Sequence, residues 1–269
     1  KTLIHMSIDK LIERDQWVLW KKVTHPESKS GETKVPVGAN GRATSIMNKK
    51  CFKSFERAYN SYINNQDLFD GIGFIFTEDD PFVGIDLDSC HRWNGWQEIV
   101  KKCASYAEIS PSKTGIHIIM EGVTPGESHS FKIGSHANGG IEIYDANRYL
   151  TMSLDPLENF TEVIKNQDAI DWIVKTCNDH SVFARIAKTE YSKKVESLFT
   201  GNWSGLGYAS QSEADLALCR ILGNIGCPMH QIDRIFRQSK LMRPKWNERR
   251  GKSTYGKDTL NLALSNRKE

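Results

Sequence analysis

Phe82-Val83-Gly84-Ile85-Asp86-Leu87-Asp88 is an apolar run carrying two carboxylates two residues apart. Successive side chains on a strand point to opposite faces, so Asp86 and Asp88 share one face while Ile85 and Leu87 share the other. An unpaired charge inside such a run is costly, and two carboxylates that close repel unless something cationic sits between them. A divalent metal with oxygen ligands is the natural occupant. Two further motifs follow, Ser110-Pro111-Ser112-Lys113-Thr114-Gly115-Ile116-His117 and Ile141-Glu142-Ile143-Tyr144. The first has the Pro, Ser, Lys and Gly content of a tight loop feeding a strand. Its hydroxyls at Ser110 and Ser112, the Lys113 ammonium, backbone amides and the His117 ring suit a triphosphate. Glu142 opposes Ile141 and Ile143 in face, and a buried carboxylate needs a partner, which the metal would supply. Arg148 reaches a phosphate or pairs with Asp145, and Lys34, near Pro36, is a substrate-facing cation.

Working outward, the chain opens as an amphipathic helix from residue 6 and runs into a strand at Trp17-Val18-Leu19-Trp20-Lys21. His25 to Glu32 reads as a loop and Lys34 to Val37 as a return strand. Phe52 to Asn64 has helical spacing of apolar residues. Gly71 to Phe76 and Pro81 to Asp88 read as a hairpin around a turn at Thr77 to Asp80. Trp96 to Tyr106 is helical. Ala107 to Ser110, Gly115 to Glu121, Ile141 to Tyr144 and Tyr149 to Ser153 read as strands, with a turn at Asp145 to Arg148. A helix over Asp168 to Asn178 closes an α+β body. Residues 1–182 are thus assigned to one domain, 183–208 to a linker, and 209–269 to a helical domain. Its helices start at Ser210 or Ser212, at Met229 and at Thr259.

The chain has 269 residues and a formal net charge of +3. From Lys188 onward, 15 Lys and Arg face 8 Asp and Glu, whereas the preceding part carries 21 against 25. An acidic body followed by a basic tail fits a nucleic-acid enzyme, although basic surface helices are common in any class. In the tail, Arg243, Lys245, Arg249 and Arg250 interleave with Trp246, which suits single-stranded DNA: bases stack while phosphates pair. The six cysteines form no C-x-x-C pair and no cluster with histidines at zinc spacing, so a reduced, cytoplasmic setting is expected. No run is long and apolar enough for a membrane span and no signal peptide is evident. The chain starts at Lys1 rather than Met, which reads as a processed or excised piece.

The order Asp86-Leu87-Asp88, then Ser110 to His117, then Glu142-Ile143-Tyr144 with Arg148-Tyr149, resembles the three site motifs of the archaeo-eukaryotic primase superfamily. The likeness is nearest to phage- and plasmid-encoded primase-polymerases. Gln16 to Trp20, Lys34-Val35-Pro36 and Gly71-Ile72-Gly73-Phe74 resemble the same group, as does the tail at Ser212 to Asp215 and Ile232 to Ser239. The resemblance implies an RNA-recognition-motif-like core with an accessory N-terminal α/β part, followed by a small helical bundle. It further implies primer synthesis and extension on a DNA template in a bacterial host, from a phage or mobile element. Asp86, Asp88 and Glu142 would hold two Mg2+ or Mn2+ ions for two-metal nucleotidyl transfer, and His117, Ser110, Ser112, Lys113, Arg148 and Lys34 would face the nucleoside triphosphate. The partners would be single-stranded template and primer, with a replicative helicase domain or protein left open. The zinc module of some cellular primases has no ligands here. A haloacid-dehalogenase-type phosphatase is disfavoured by Cys90 at the fifth position of its motif. A rolling-circle replication endonuclease is disfavoured because Ile118-Ile119-Met120 follows His117 where a second His is needed. A catalytically inert DNA-binding replication module would not need three carboxylates.

Overall fold

The alternation in Phe82 to Asp88 is realised as a strand whose two sides meet different surroundings. The computed structural model describes residues 8–26, 31–92, 95–125, 129–132 and 140–265. Residues 6 and 7 of the expected first helix and 27–30 of the expected loop lie outside them. The elements of the body are α1 (Asp9–Ile12), β1 (Trp17–Thr24), β2 (Glu32–Val37), α2 (Phe55–Asn64), β3 (Gly71–Phe76), β4 (Phe82–Asp88) and α3 (Trp96–Cys103). They continue with β5 (Tyr106–Ile109), β6 (Ile116–Glu121), β7 (His129–Lys132), β8 (Gly140–Tyr144), β9 (Arg148–Met152) and α4 (Gln167–Ile186). The expected helix to Tyr106 stops at Cys103, because Ala104 turns left-handed and Tyr106 opens a strand.

Two antiparallel sheets result, one ordered β2-β1-β3-β9 and the other β5-β6-β4-β8-β7. In the second, α3 forms the crossover from β4 to β5, the two strands that flank β6. This bears out the α+β fold read from the sequence. On one face of that sheet Val83, Ile85 and Leu87 of β4 pack with Ile118 and Ile143 beneath Val100 of α3 and Ile170 and Ile173 of α4. On the other face, near the start of β4, Phe82, Tyr106, Ile119 and Tyr144 join Phe74, Phe76 and Leu150 of the first sheet. Edge-to-face ring pairs hold this contact, Phe76–Tyr144 at 5.4 Å and Phe74–Phe82 at 5.7 Å. Gly84 sits under the first pair. A Cβ there would lie 2.7 Å from Phe76 and 2.9 Å from Tyr144, so the close approach requires glycine.

β3 and β4 do not form the expected hairpin. β3 pairs with β1 and β9, and β4 with β6 and β8. Asp80 redirects the chain between them. Its Oδ2 accepts from Thr77 N at 2.8 Å and from Gln16 Nε2 at 2.6 Å, and its Oδ1 accepts from Phe82 N at 2.8 Å. The chain changes sheets again between β8 and β9, where Asn147 adopts φ 56°.

A second unit runs from Asn178. Besides the last turns of α4 it contains α5 (Ser192–Phe199), α6 (Gln211–Asn224), α7 (Met229–Gln238), the short strands β10 (Arg249–Arg250) and β11 (Ser253–Thr254), and α8 (Tyr255–Leu264). The stretch 183–208, expected to be a linker, is therefore folded: Val195 and Leu198 are buried in the same core as Leu218, Ile232, Ile235 and Phe236. Its weak periodicity comes from short elements separated by turns. Ser210 caps α6 through the Glu213 amide, as its sequence position suggested, while α8 starts four residues earlier than expected, capped by Thr254.

Within this unit Arg234 donates through Nε and Nη2 to the two carboxylate oxygens of Asp179, both at 2.7 Å, and the Asp179 side chain is only 7% exposed. Arg234→Ala would strand a buried charge and should cost about 3–5 kcal/mol in denaturant unfolding. Arg237→Ala, which breaks the exposed pair with Asp233, should cost less than about 1 kcal/mol. Equal, small losses for both would refute the assignment of Asp179 as a buried anchor.

Candidate active site

The pairing register sets three functional side chains abreast. Asp86 lies directly opposite His117 of β6 on one side and Glu142 of β8 on the other. Direct cross-strand neighbours share a face. The row therefore occupies the face away from α3 and α4, toward the end of β4 where the ring contacts between the sheets give way to a cleft. Asp86 Oδ1 is 3.7 Å from His117 Nε2, and Asp88 follows on the same face at the strand end. The burial argument made from the sequence holds in part for Asp86, which is half-buried, and not for Asp88 and Glu142, which are exposed. Burial lifts the Asp86 pKa, His117 opposes that rise, and the nearby Asp88 and Glu142 add to it. Among the described residues no three or more His, Cys, Asp or Glu side chains form a ready metal cage.

The cleft encloses about 890 Å³ and has a wall from each sheet. Asp86, His117 and Glu142 come from one, and Lys22, Lys34 and Thr151 from the other, with Arg148 at the start of β9. Lys34 is held by a 3.3 Å contact to Thr151 Oγ1 and stands 5.6 Å from the Trp20 ring centroid. Burial lowers its pKa, and Asp86 is the main group opposing that shift. Asp145 is occupied elsewhere: its carboxylate accepts from the amide and hydroxyl of Thr124 at 2.9 and 2.7 Å.

The loop from Ser110 to Gly115 is tied by its own polar groups. Ser110 Oγ accepts from Gly115 N at 3.1 Å and meets Ser112 Oγ at 2.9 Å, which in turn meets Thr114 Oγ1 at 2.9 Å. Ser112 lines the cleft. Ser110 is buried at the root of the loop, and Lys113 is exposed in a left-handed conformation (φ 59°); neither lines the cleft.

Sequence reasoning passed over Glu108. It is fully buried on β5, directly opposite His117, and its Oε1 lies 3.2 Å from His117 Nδ1. The same carboxylate accepts from Tyr106 Oη at 2.8 Å, Ser153 N at 3.0 Å and Leu154 N at 2.9 Å. The signal was present: Tyr106-Ala107-Glu108-Ile109 is an apolar run with one acid, the pattern that drew attention to Asp86.

In the helical unit the basic candidates separate into two roles. Trp246, expected to offer its ring to bases, is instead core. It is 1% exposed, stacks on Phe236 at 3.6 Å and donates from Nε1 to Asp233 Oδ1 at 2.8 Å. Its helical neighbours leave no free face. The cations cluster on Tyr255 instead: Lys245 and Arg250 stand 4.8 and 4.7 Å from its ring centroid, and Arg243 at 5.9 Å. Buried Asp215 bonds both Tyr255 Oη and Arg243, leaving the group with a positive surplus. Arg249 is exposed beside Arg250 on the β10–β11 ribbon.

Two comparisons bear on this arrangement. Residues 211–269 match the family model described as the NrS-1 polymerase HBD domain. Over 96% of its length the chain is 29% identical to a DNA primase-polymerase of Nitratiruptor phage NrS-1, and it spans 37% of that protein. The resemblance to phage-type primase-polymerases read from the sequence is thereby shown, along nearly the whole chain and in its C-terminal part separately.

Proposed function

We propose that the chain is the nucleotidyl-transfer part of a DNA primase-polymerase, extending and initiating primers from nucleoside triphosphates. The observation that carries this reading is the register that sets Asp86 between His117 and Glu142 on one wall of a cleft whose opposite wall carries Lys22 and Lys34. Similarity to a phage protein named for this activity supports it. The donor set suits Mg2+ or Mn2+: Asp86 is destabilised as an anion by burial and by two neighbouring acids. An open set of carboxylates fits ions that take one or two protein ligands and complete their shell with phosphates and water. Asp86, Asp88 and Glu142 would hold the metal, which when bound neutralises triphosphate charge and activates the attacking hydroxyl. His117 presents Nε2 toward the triphosphate, and Ser112 and Arg148 bind its oxygens from the loop and from β9. Lys34 supplies positive charge from the opposite wall. In the helical unit Lys245, Arg250 and Arg249 hold template phosphates or those of the initiating nucleotide.

Asp86→Ala should lower nucleotide incorporation on a primed single-stranded template at least about 100-fold, with the circular dichroism unchanged. Near-normal synthesis by that variant would remove Asp86 from the chemistry.

The pKa shift of Asp86 gives a second test. A carboxylate whose folded pKa is raised costs stability above that pKa, and the cost disappears below the ordinary value of 3.8. Without divalent ions, Asp86→Asn should therefore melt at a higher temperature than the parent at neutral pH. That advantage should shrink as pH falls toward 4, and added Mn2+ should stabilise the parent but not the variant. An Asn variant that melts lower at pH 7 contradicts the electrostatic picture.

For the helical unit, replacing Lys245 and Arg250 by Ala should reduce the salt dependence of single-stranded DNA binding by about 2 in log–log slope. Trp246→Phe should lower stability and leave that slope unchanged. The opposite pattern would place DNA on the Trp246 ring.

A further inference from the structure

We infer that Glu108 is a positioning residue for the cleft, acting through His117; this rests on the reading of the cleft as a nucleotide site. The carboxylate is wholly buried and only accepts hydrogen bonds, two at each oxygen. Oε1 takes His117 Nδ1 and Ser153 N; Oε2 takes Tyr106 Oη and Leu154 N. Three of these contacts come from donors, Tyr106 Oη and the Ser153 and Leu154 amides, so the tautomer that completes the set carries its proton on His117 Nδ1. That fixes the ring plane and turns Nε2 toward Asp86 and the cleft, 3.7 Å from Oδ1. A lone imidazole on a strand would have the freedom to rotate about χ2, because that torsion is broad. Glu108 removes that freedom.

The second half of its bonding joins the two walls. Ser153 and Leu154 directly follow β9, the strand of the first sheet that brings Arg148 and Thr151 to the cleft, whereas His117 belongs to the second sheet. One carboxylate therefore fixes both the histidine and the end of the strand facing it. The left-handed Leu154 (φ 58°) turns its amide onto Oε2, a conformation unusual for leucine. Supporting hydrogen bonds of this kind commonly carry 10- to 100-fold effects on the site they orient.

The test is a double-variant cycle on the whole chain. Gln at position 108 keeps the shape but sets an amide N–H2 against a pair of donors. Glu108→Gln should raise KM for the nucleoside triphosphate about 10-fold with a smaller change in kcat. In a His117→Ala background the same change should have a much smaller effect on KM, only the part that acts through the end of β9. Independent, multiplicative effects would show that Glu108 is merely structural. Should Glu108→Gln melt too low to assay, Tyr106→Phe removes one of the four donors and should give a smaller KM increase, again much reduced without His117. A second readout does not depend on activity. Nitrogen-15 spectra of the parent should show a protected Nδ1–H on His117, lost in Glu108→Ala, which leaves Nδ1 without this acceptor. Its absence from the parent overturns the inference. A parent that shows the protected proton but binds no nucleotide would instead refute the proposed function and leave the orientation of His117 established.

Discussion

Everything at the site depends on the register of β4 between β6 and β8. Because side chains alternate, slipping that strand by one residue would bury Asp86 and Asp88 under the helices and turn Ile85 and Leu87 into the cleft. The apolar half of the strand forbids it. Val83, Ile85 and Leu87 are fully buried, and exposing any one of them would cost about 1.5–3 kcal/mol. The packing that stabilises the sheet thus also aligns Glu108, His117, Asp86 and Glu142 across four neighbouring strands. Folding energy and site geometry are here the same constraint.

The cleft owes its walls to the way the chain changes sheets. Aromatic residues hold the two sheets together at the start of β4, and farther along that strand the same face carries only polar groups. Asp86 and Glu142 line one wall there, Asp88 follows at the strand end, and Lys22 and Lys34 stand opposite. Such an arrangement is costly in the free protein, as the raised Asp86 and lowered Lys34 pKa values record. It is suited to a ligand that brings both positive and negative charge, as a metal-bound triphosphate does.

Much of this was legible in the residues. Asp86 and Glu142 stood out because each interrupts an apolar alternation, and His117 because it follows the polar loop from Ser110 to Gly115; the sheet places them side by side. The strands of both sheets were read within a residue or two, except β1, which runs three residues past Lys21, and β7, which was not read at all. The pairing of β3 with β4 was misread because adjacency in sequence favours a hairpin, and nothing local shows that Asp80 will bind Gln16, 64 residues earlier. Trp246 was misread for a related reason. An aromatic among cations looks the same whether it faces solvent or Phe236, and only the fold of α7 against the Pro244–Asn247 turn decides. Glu108 carries the same signal as Asp86, but its role was not legible because three of its four partners, His117, Ser153 and Leu154, come from β6 and from the end of β9.

The central claim is that the row across β6, β4 and β8 binds a metal-bound triphosphate. Anomalous scattering from Mn2+ in crystals of the protein grown with a non-hydrolysable nucleoside triphosphate tests it most directly. The account predicts a Mn2+ peak coordinated by Asp86 and at least one of Asp88 and Glu142, with triphosphate oxygens reaching His117 Nε2. A triphosphate bound with its metal away from Asp86, or His117 turned from the phosphates, would contradict it.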